Sequence, residues 1–407
     1  MLLTWPKMPP FTFLRPGAPS PQYPLDDYSA FILLCQILGG SSNERRKNPI
    51  FATPDAIKTI LTTAESERVL PALHEAVVLN YAADLPKSCR AFLAVQHEAN
   101  RRRNVMMHRA LIALGEAAAS ARLEFAVLKG AAWVMEDISG APWRWLLDID
   151  LLVDPRQYGR IPQLLEALGC QRAVESRRFD VNFHHAPYRY PDGDFTIEVH
   201  RHLGWKHALL PPDGVLARAR RIAPGLLLPA PWHRAFHAII HWQVQDCGRS
   251  RATTPLKDIL EVGRFLARPD VDWAALAAHA RAVGATDACE SAVAIASALI
   301  GAPVPREIAT AEKGERHVVR ALVRRASPLR TWFATQLWRA ATLWRCEKVA
   351  YRTAISGGKP AIVAMVVWSR RIAQLPILAV RLIGIIARAL FLWARGRVIY
   401  TEKFIRR

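Results

Sequence analysis

Apolar positions recur along the chain in two different periods, and the change between them divides it into regions. From Asp26 to Ile37, the residues Tyr28, Phe31, Ile32, Leu34, Cys35 and Leu38 follow helical spacing, and Gly39-Gly40 ends the run. Residues 54–62, 69–79 and 89–114 keep that period; the last segment carries Arg101-Arg102-Arg103, read as a solvated turn of helix. Between 122 and 200 strand and helix signals alternate. The pattern predicts a strand over 123–128, a helix from 130 to about 138 and a strand over 146–153. A helix is expected from Pro155 to Leu168, with proline in its first turn and Gly169 ending it. Two further strands, 183–190 and 194–200, flank Pro191-Asp192-Gly193, a strong hairpin signal. From Pro231 the period is helical again, over 232–245, 256–267, 273–283 and 288–300. The expected fold class is α+β, a small mixed sheet with helical regions before and after it.

Within the predicted strand Leu146–Val153, Asp148 and Asp150 stand two residues apart. Strand side chains alternate, so both carboxylates share one face while Ile149 and Leu151 take the other. Two acids on an otherwise apolar strand repel unless a cation lies between them. Magnesium held by carboxylates and phosphates meets that need. In the strand Phe195–His200, Thr196, Glu198 and His200 share a face, so Glu198 joins the two aspartates if the strands are neighbours. Upstream, Lys129-Gly130 follows an apolar strand and opens a helix. A glycine lets backbone approach a phosphate, and a helix N-terminus offers free N–H groups to an anion. Lys129 would add a point charge, and Arg144 precedes the acid pair by four residues.

Other chemistry is thinner. His237 and His241 are four apart on a predicted helix, and His200 and His202 alternate on a strand, but no Glu lies between the first pair as a zinc protease requires. The histidines, with His184-His185, are read as packing and hydrogen-bonding groups of the core or cleft. No Gly-x-Ser-x-Gly or Ser-His-Asp order supports a hydrolase, and Ser356-Gly357-Gly358-Lys359 lacks the rest of a phosphate loop.

Composition adds little until the charge is located. The chain has 407 residues and a net charge of +20, yet residues 316–407 alone carry 19 Lys/Arg against Glu347 and Glu402. There Arg381, Arg388 and Arg395 recur every seventh residue among apolar runs. The pattern fits a basic amphipathic helix lying on a membrane surface through 370–407, or packing on a protein; its wide apolar face argues against nucleic acid. The six cysteines contain no C-x-x-C pair and read as reduced, buried thiols. Prolines and Lys7 interrupt any apolar core within Met1–Pro19, so a cytoplasmic protein is expected, peripheral at the inner membrane face if the tail binds there.

Taken in order, Leu128-Lys129-Gly130, Arg144, Asp148-Ile149-Asp150-Leu151-Leu152-Val153 and Ile197-Glu198-Val199-His200 resemble the uncharacterised nucleotidyltransferase family of the polymerase-β-like superfamily, over roughly residues 105–260. Lys129-Gly130 stands where the wider superfamily has Gly-Ser. The resemblance implies a polymerase-β-like core over 106–230, with an N-terminal helical region at 1–105, a helical domain at 231–312 and the basic Trp-rich tail at 313–407. It implies Mg²⁺ and an NTP, with the NMP moved to a hydroxyl of a small-molecule, peptide or glycan acceptor. Asp148 and Asp150 would be metal ligands, and Glu198 the third ligand or the general base. Lys129, Gly130 and Arg144 would hold phosphate. A histidine after the sheet and a Leu-x-Asp recur in the family, which places His241 and Asp258 near the cleft. The alternative is a catalytically inactive scaffold of the same fold, associated with a membrane surface or a partner protein.

Overall fold

Seven short strands form one mixed sheet in the computed structural model, which describes residues 27–39, 53–80 and 85–326 apart from 138, 140, 174–185, 205, 247 and 309–311. The strands are β1 (Phe125–Val127), β2 (Asp148–Leu152), β3 (Gln171–Arg172), β4 (Tyr188–Arg189), β5 (Thr196–His200), β6 (Arg220–Ala223) and β7 (Leu226–Leu228), in the order β3-β4-β5-β2-β1-β7-β6. β2 lies parallel to β5 and antiparallel to β1, which is parallel to β7. The central strands are apolar on the inner face: Ile149, Leu151, Ile197 and Val199 are fully buried. Burial of that face is the main driving force for the sheet.

The helices before the sheet are α1 (Asp27–Leu38), α2 (Pro54–Ser66), α3 (Leu70–Asn80) and α4 (Lys87–Ser120). Within and after it come α5 (Lys129–Glu136), α6 (Ile161–Ala167), α7 (Pro212–Ala217), α8 (Pro231–Ile240), α9 (Gly248–Arg251), α10 (Leu256–Leu266), α11 (Trp273–Ala282), α12 (Thr286–Ile300) and α13 (Glu312–Arg325). This is the expected α+β class, with helices flanking a mixed sheet. Among the described residues no helix is long and apolar enough to cross a membrane. The proposed amphipathic tail, 370–407, lies outside the described residues, as do His184 and His185. Among the described residues Cys35, Cys89, Cys170 and Cys289 are buried thiols in no disulfide, as the reading of the thiols expects.

Helix α4 does more than pack. Its Asn100 and Asn104, one turn apart and buried, aim their amides at the loop leading into β2. Asn100 Nδ2 donates to the carbonyls of Pro142 (2.8 Å) and Arg144 (2.9 Å), and Asn104 Nδ2 to those of Ala141 (3.1 Å) and Arg144 (3.0 Å). A buried loop needs donors for its carbonyls, and these two amides supply them. They fix the approach of the Asp148–Asp150 strand.

Several expected boundaries moved. The helix expected from Pro155 begins only at Ile161, after a 3₁₀ turn at Tyr158–Arg160. Asp154 Oδ1 accepts the backbone N–H of Arg156 at 2.8 Å and holds Pro155–Arg156 in a turn instead. The helix expected over 232–245 ends at Ile240 and continues as a π turn from His241 to Gln245, where Asp246 N donates to His241 O at 2.8 Å. The hairpin around Pro191-Asp192-Gly193 is present, with β4 and β5 shorter than the pattern suggests. Strands β3, β6 and β7 were not expected. The apolar run Leu226-Leu227-Leu228 after Pro224-Gly225 was the available signal for the β6–β7 hairpin.

That hairpin reaches the sheet only by passing close under α4. A Cβ on Gly225, whose φ is +65°, would stand 2.1 Å from the carbonyl oxygen of Gly115, and one on Gly115 would stand 2.5 Å from Pro224 O. Both contacts are with backbone, which cannot swing aside. Gly225→Ala therefore combines a left-handed backbone with a clash, and should lower unfolding free energy by about 3 kcal/mol or more in urea denaturation.

Candidate active site

Parallel pairing of β2 and β5 sets Asp150 opposite Glu198 and Leu152 opposite His200. Glu198 and His200 are two apart and share a face. Asp150, only 3% exposed, is the hub of the group. Its Oδ1 accepts a hydrogen bond from Lys129 Nζ at 2.8 Å and lies 2.8 Å from His200 Nε2. Glu198 Oε2 is 3.9 Å from the same imidazole nitrogen. Asp150, Glu198 and His200 each bring one donor atom into a group whose members lie within 4.8 Å of one another. Carboxylate oxygens beside an imidazole nitrogen at that spacing form a group able to hold a metal ion.

Lys129 reaches Asp150 because of its backbone. It opens α5 with φ +45°, in the left-handed region that a lysine adopts only when its surroundings fix it. The preceding residue is tied to the same strand, with Leu128 N donating to Asp150 O at 2.9 Å. The β1–α5 turn thus grips β2 by backbone and side chain together.

The carboxylates respond in opposite directions. Burial would raise Asp150, but Lys129 and His200 hold it well below the usual carboxylate range. Asp148 is raised, by burial first and then by repulsion from Asp150, with Lys129, Lys257 and Arg144 pulling the other way. Burial and then Asp150 push Glu198 up to about 7. Burial opposes the charge on Lys129, yet Asp150, Asp148 and Glu198 hold it above the ordinary lysine range. His237 is lowered to about 3 by burial and by the Lys129 ammonium, and His241 is well below its usual value for the same two reasons. Both imidazoles are thus held toward the neutral form, within reach of Lys129 and Asp150.

The other expected residues are less directly engaged. Gly130 is buried at the start of α5, but a Cβ there would stand 1.9 Å from Leu146 Cδ2, so its small size makes room for a leucine methyl. Arg144 is buried with its Nη2 donating to Glu261 Oε2 at 2.6 Å, while its Nε and Nη1 have no hydrogen-bond partner among the described residues. His241 Nδ1 lies 3.3 Å from Asp246 Oδ2, and Asp258 Oδ1 lies 3.4 Å from Lys257 Nζ at the first turn of α10. Alternation on β5 puts His200 on the face of Glu198, and its bond to Asp150 agrees with the reading of a hydrogen-bonding group of the cleft. Lys257 and Glu261 carry no role in the sequence reading. Nothing in the pattern marks Glu261, which holds Arg144 and also accepts from Trp133 Nε1 at 3.2 Å.

An acid pair on one strand lies beside a third acid on the parallel neighbour, with a lysine at the turn into the next helix. The chain belongs to the uncharacterised nucleotidyltransferase family, whose model matches residues 53–301. That match begins well before the expected residue 105, so α2, α3 and α4 are part of the family's own unit. Neither any curated protein nor any solved structure matches the chain.

The Lys129–Asp150 pair can be tested by itself. Lys129→Met leaves Asp150 buried without its ammonium and should cost about 2 kcal/mol, since the lysine side chain is 24% exposed and partly screened. Adding Asp150→Asn should recover part of that loss. A double-mutant cycle by chemical denaturation measures the coupling; purely additive losses would contradict the pairing.

Proposed function

We propose that the chain is a Mg²⁺-dependent nucleotidyltransferase that moves an NMP from an NTP to a hydroxyl of a small-molecule, peptide or glycan acceptor. The observation that carries this reading is the register that sets Asp150 opposite Glu198, two residues from Asp148 and 2.8 Å from Lys129. In the reaction the acceptor oxygen forms a bond to the α-phosphorus. The bond from that phosphorus to the bridging oxygen of the β-phosphate breaks, and pyrophosphate leaves. Asp148 and Asp150 would hold magnesium, which supplies positive charge to the phosphate oxygens and the leaving group.

The chain's own residues divide the remaining work. Glu198 is the more open of the paired acids, with a side chain 24% exposed against 4% for Asp150, and it receives the acceptor's proton. Lys129 fixes Asp150 in place and adds positive charge on the side where phosphate arrives. The unpaired Nε–H and Nη1–H of Arg144 are donors for a phosphate oxygen, and Glu261 orients them. Neutral His237 and His241 wall the site without adding charge. Lys257, at the start of α10, offers a second ammonium toward Asp148. We place the protein in the cytoplasm, with 370–407 as a peripheral membrane contact.

One observation favours the scaffold alternative. The Lys129 ammonium already offsets charge on Asp150, so the acids are not left uncompensated when no metal is bound. Nucleotide binding separates the two readings. Calorimetric titration of each NTP into the full-length protein, with and without Mg²⁺, should show one nucleotide bound only with the cation. Asp148→Ala/Asp150→Ala should remove that binding while circular dichroism and melting remain those of a folded protein. A folded wild-type protein that binds no NTP would favour the scaffold.

A further inference from the structure

A second cleft opens at the far end of α5. Lys129 starts that helix and Glu136 ends it, about 10 Å apart along the axis at roughly 1.5 Å per residue. The cleft holds about 640 Å³ and is lined by Trp133 and Trp143, by Glu136 and Asp137, and by four arginines, Arg220, Arg221, Arg264 and Arg268. None of these residues belongs to the acid row of β2 and β5.

The charges in the cleft are unequally occupied. Glu136 is already held, by Arg234 at 2.7 Å and by two nitrogens of Arg268 at 2.7 and 3.1 Å. Asp137 accepts from the backbone N–H and hydroxyl of Ser139. Arg268 also pairs with Asp270, and Arg221 with Glu124. Arg264 Nη2 donates to Glu75 Oε2 at 3.3 Å, and its guanidinium carbon stands 3.9 Å from the centre of the Trp143 ring. Stacked in this way, a guanidinium keeps its N–H edges open for bidentate contact with an oxyanion. Arg220, exposed on the edge strand β6, makes no side-chain ion pair among the described residues. The Arg220 guanidinium and the remaining N–H groups of Arg264 therefore face one cleft.

We propose that this cleft binds a phosphate-bearing small molecule, with Arg220 and Arg264 on the phosphate. The site is separate from the nucleotidyl-transfer reading and does not depend on it.

The test uses inorganic pyrophosphate titrated into the full-length protein in EDTA. Without a divalent cation, the row of Asp148, Asp150 and Glu198 repels the anion, so binding reports the arginines. Wild-type protein should bind one pyrophosphate, and Asp148→Ala/Asp150→Ala should retain that site. Arg220→Ala and Arg264→Lys should each weaken it about tenfold, the loss expected for one charged hydrogen-bonding partner. Arg220 lies on an exposed edge, so that variant remains informative if Arg264→Lys misfolds. Three results would overturn the proposal: no binding in EDTA, binding undiminished by the arginine variants (as the basic tail alone would give), or loss of binding in the aspartate variant.

Discussion

Everything in the site depends on one ion pair in a poorly solvated place. Asp150 sits in the middle of a sheet and is 3% exposed, where an isolated carboxylate would be protonated. Lys129 keeps it charged, and the cost of that arrangement is a lysine held at φ +45°. The turn, the strand and the first turn of α5 are thereby locked together, and the neighbouring ionisable groups respond to burial first and to this pair second. Asp148 and Glu198 are raised by repulsion from Asp150 as well as by burial, and the histidines of α8 and the π turn are kept neutral. The proposed nucleotidyl transfer needs fixed negative charge at one point and fixed positive charge close by, before substrate arrives, so that no reorganisation is required during the reaction.

The surrounding fold serves the same end from a distance. Asn100 and Asn104 reach from α4 to hold the loop before β2, and Glu261 reaches from α10 to hold Arg144. The helices before and after the sheet are therefore parts of the site's support. The family's match over 53–301, wider than the sheet itself, agrees with that dependence.

Much of this was legible in the residues. Period-2 alternation placed Asp148 and Asp150 on one face and Glu198 on a second strand, because strand geometry fixes those faces without help from the rest of the chain. Which strands lie side by side is a tertiary fact, and the parallel pairing of β2 with β5 was only a condition of the argument. Gly130 looked like a phosphate-facing glycine, yet the leucine methyl against its Cα belongs to Leu146, sixteen positions later. Strands β6 and β7 escaped notice because three or four residues give too short a pattern, and only the close approach of Gly115 and Gly225 explains their position. Helix α6 began late since Pro155 opens a turn stabilised by Asp154, a competition that composition does not resolve.

The central claim, the one proposed above, is that Asp148 and Asp150 hold a divalent cation together with a nucleotide. Manganese is a paramagnetic substitute for magnesium, and electron paramagnetic resonance counts free Mn²⁺ directly. With a non-hydrolysable NTP analogue present, the free Mn²⁺ signal should fall by one or two equivalents per chain in wild-type protein and recover in Asp150→Asn. A free signal unchanged by folded wild-type protein, with or without the analogue, would contradict the account.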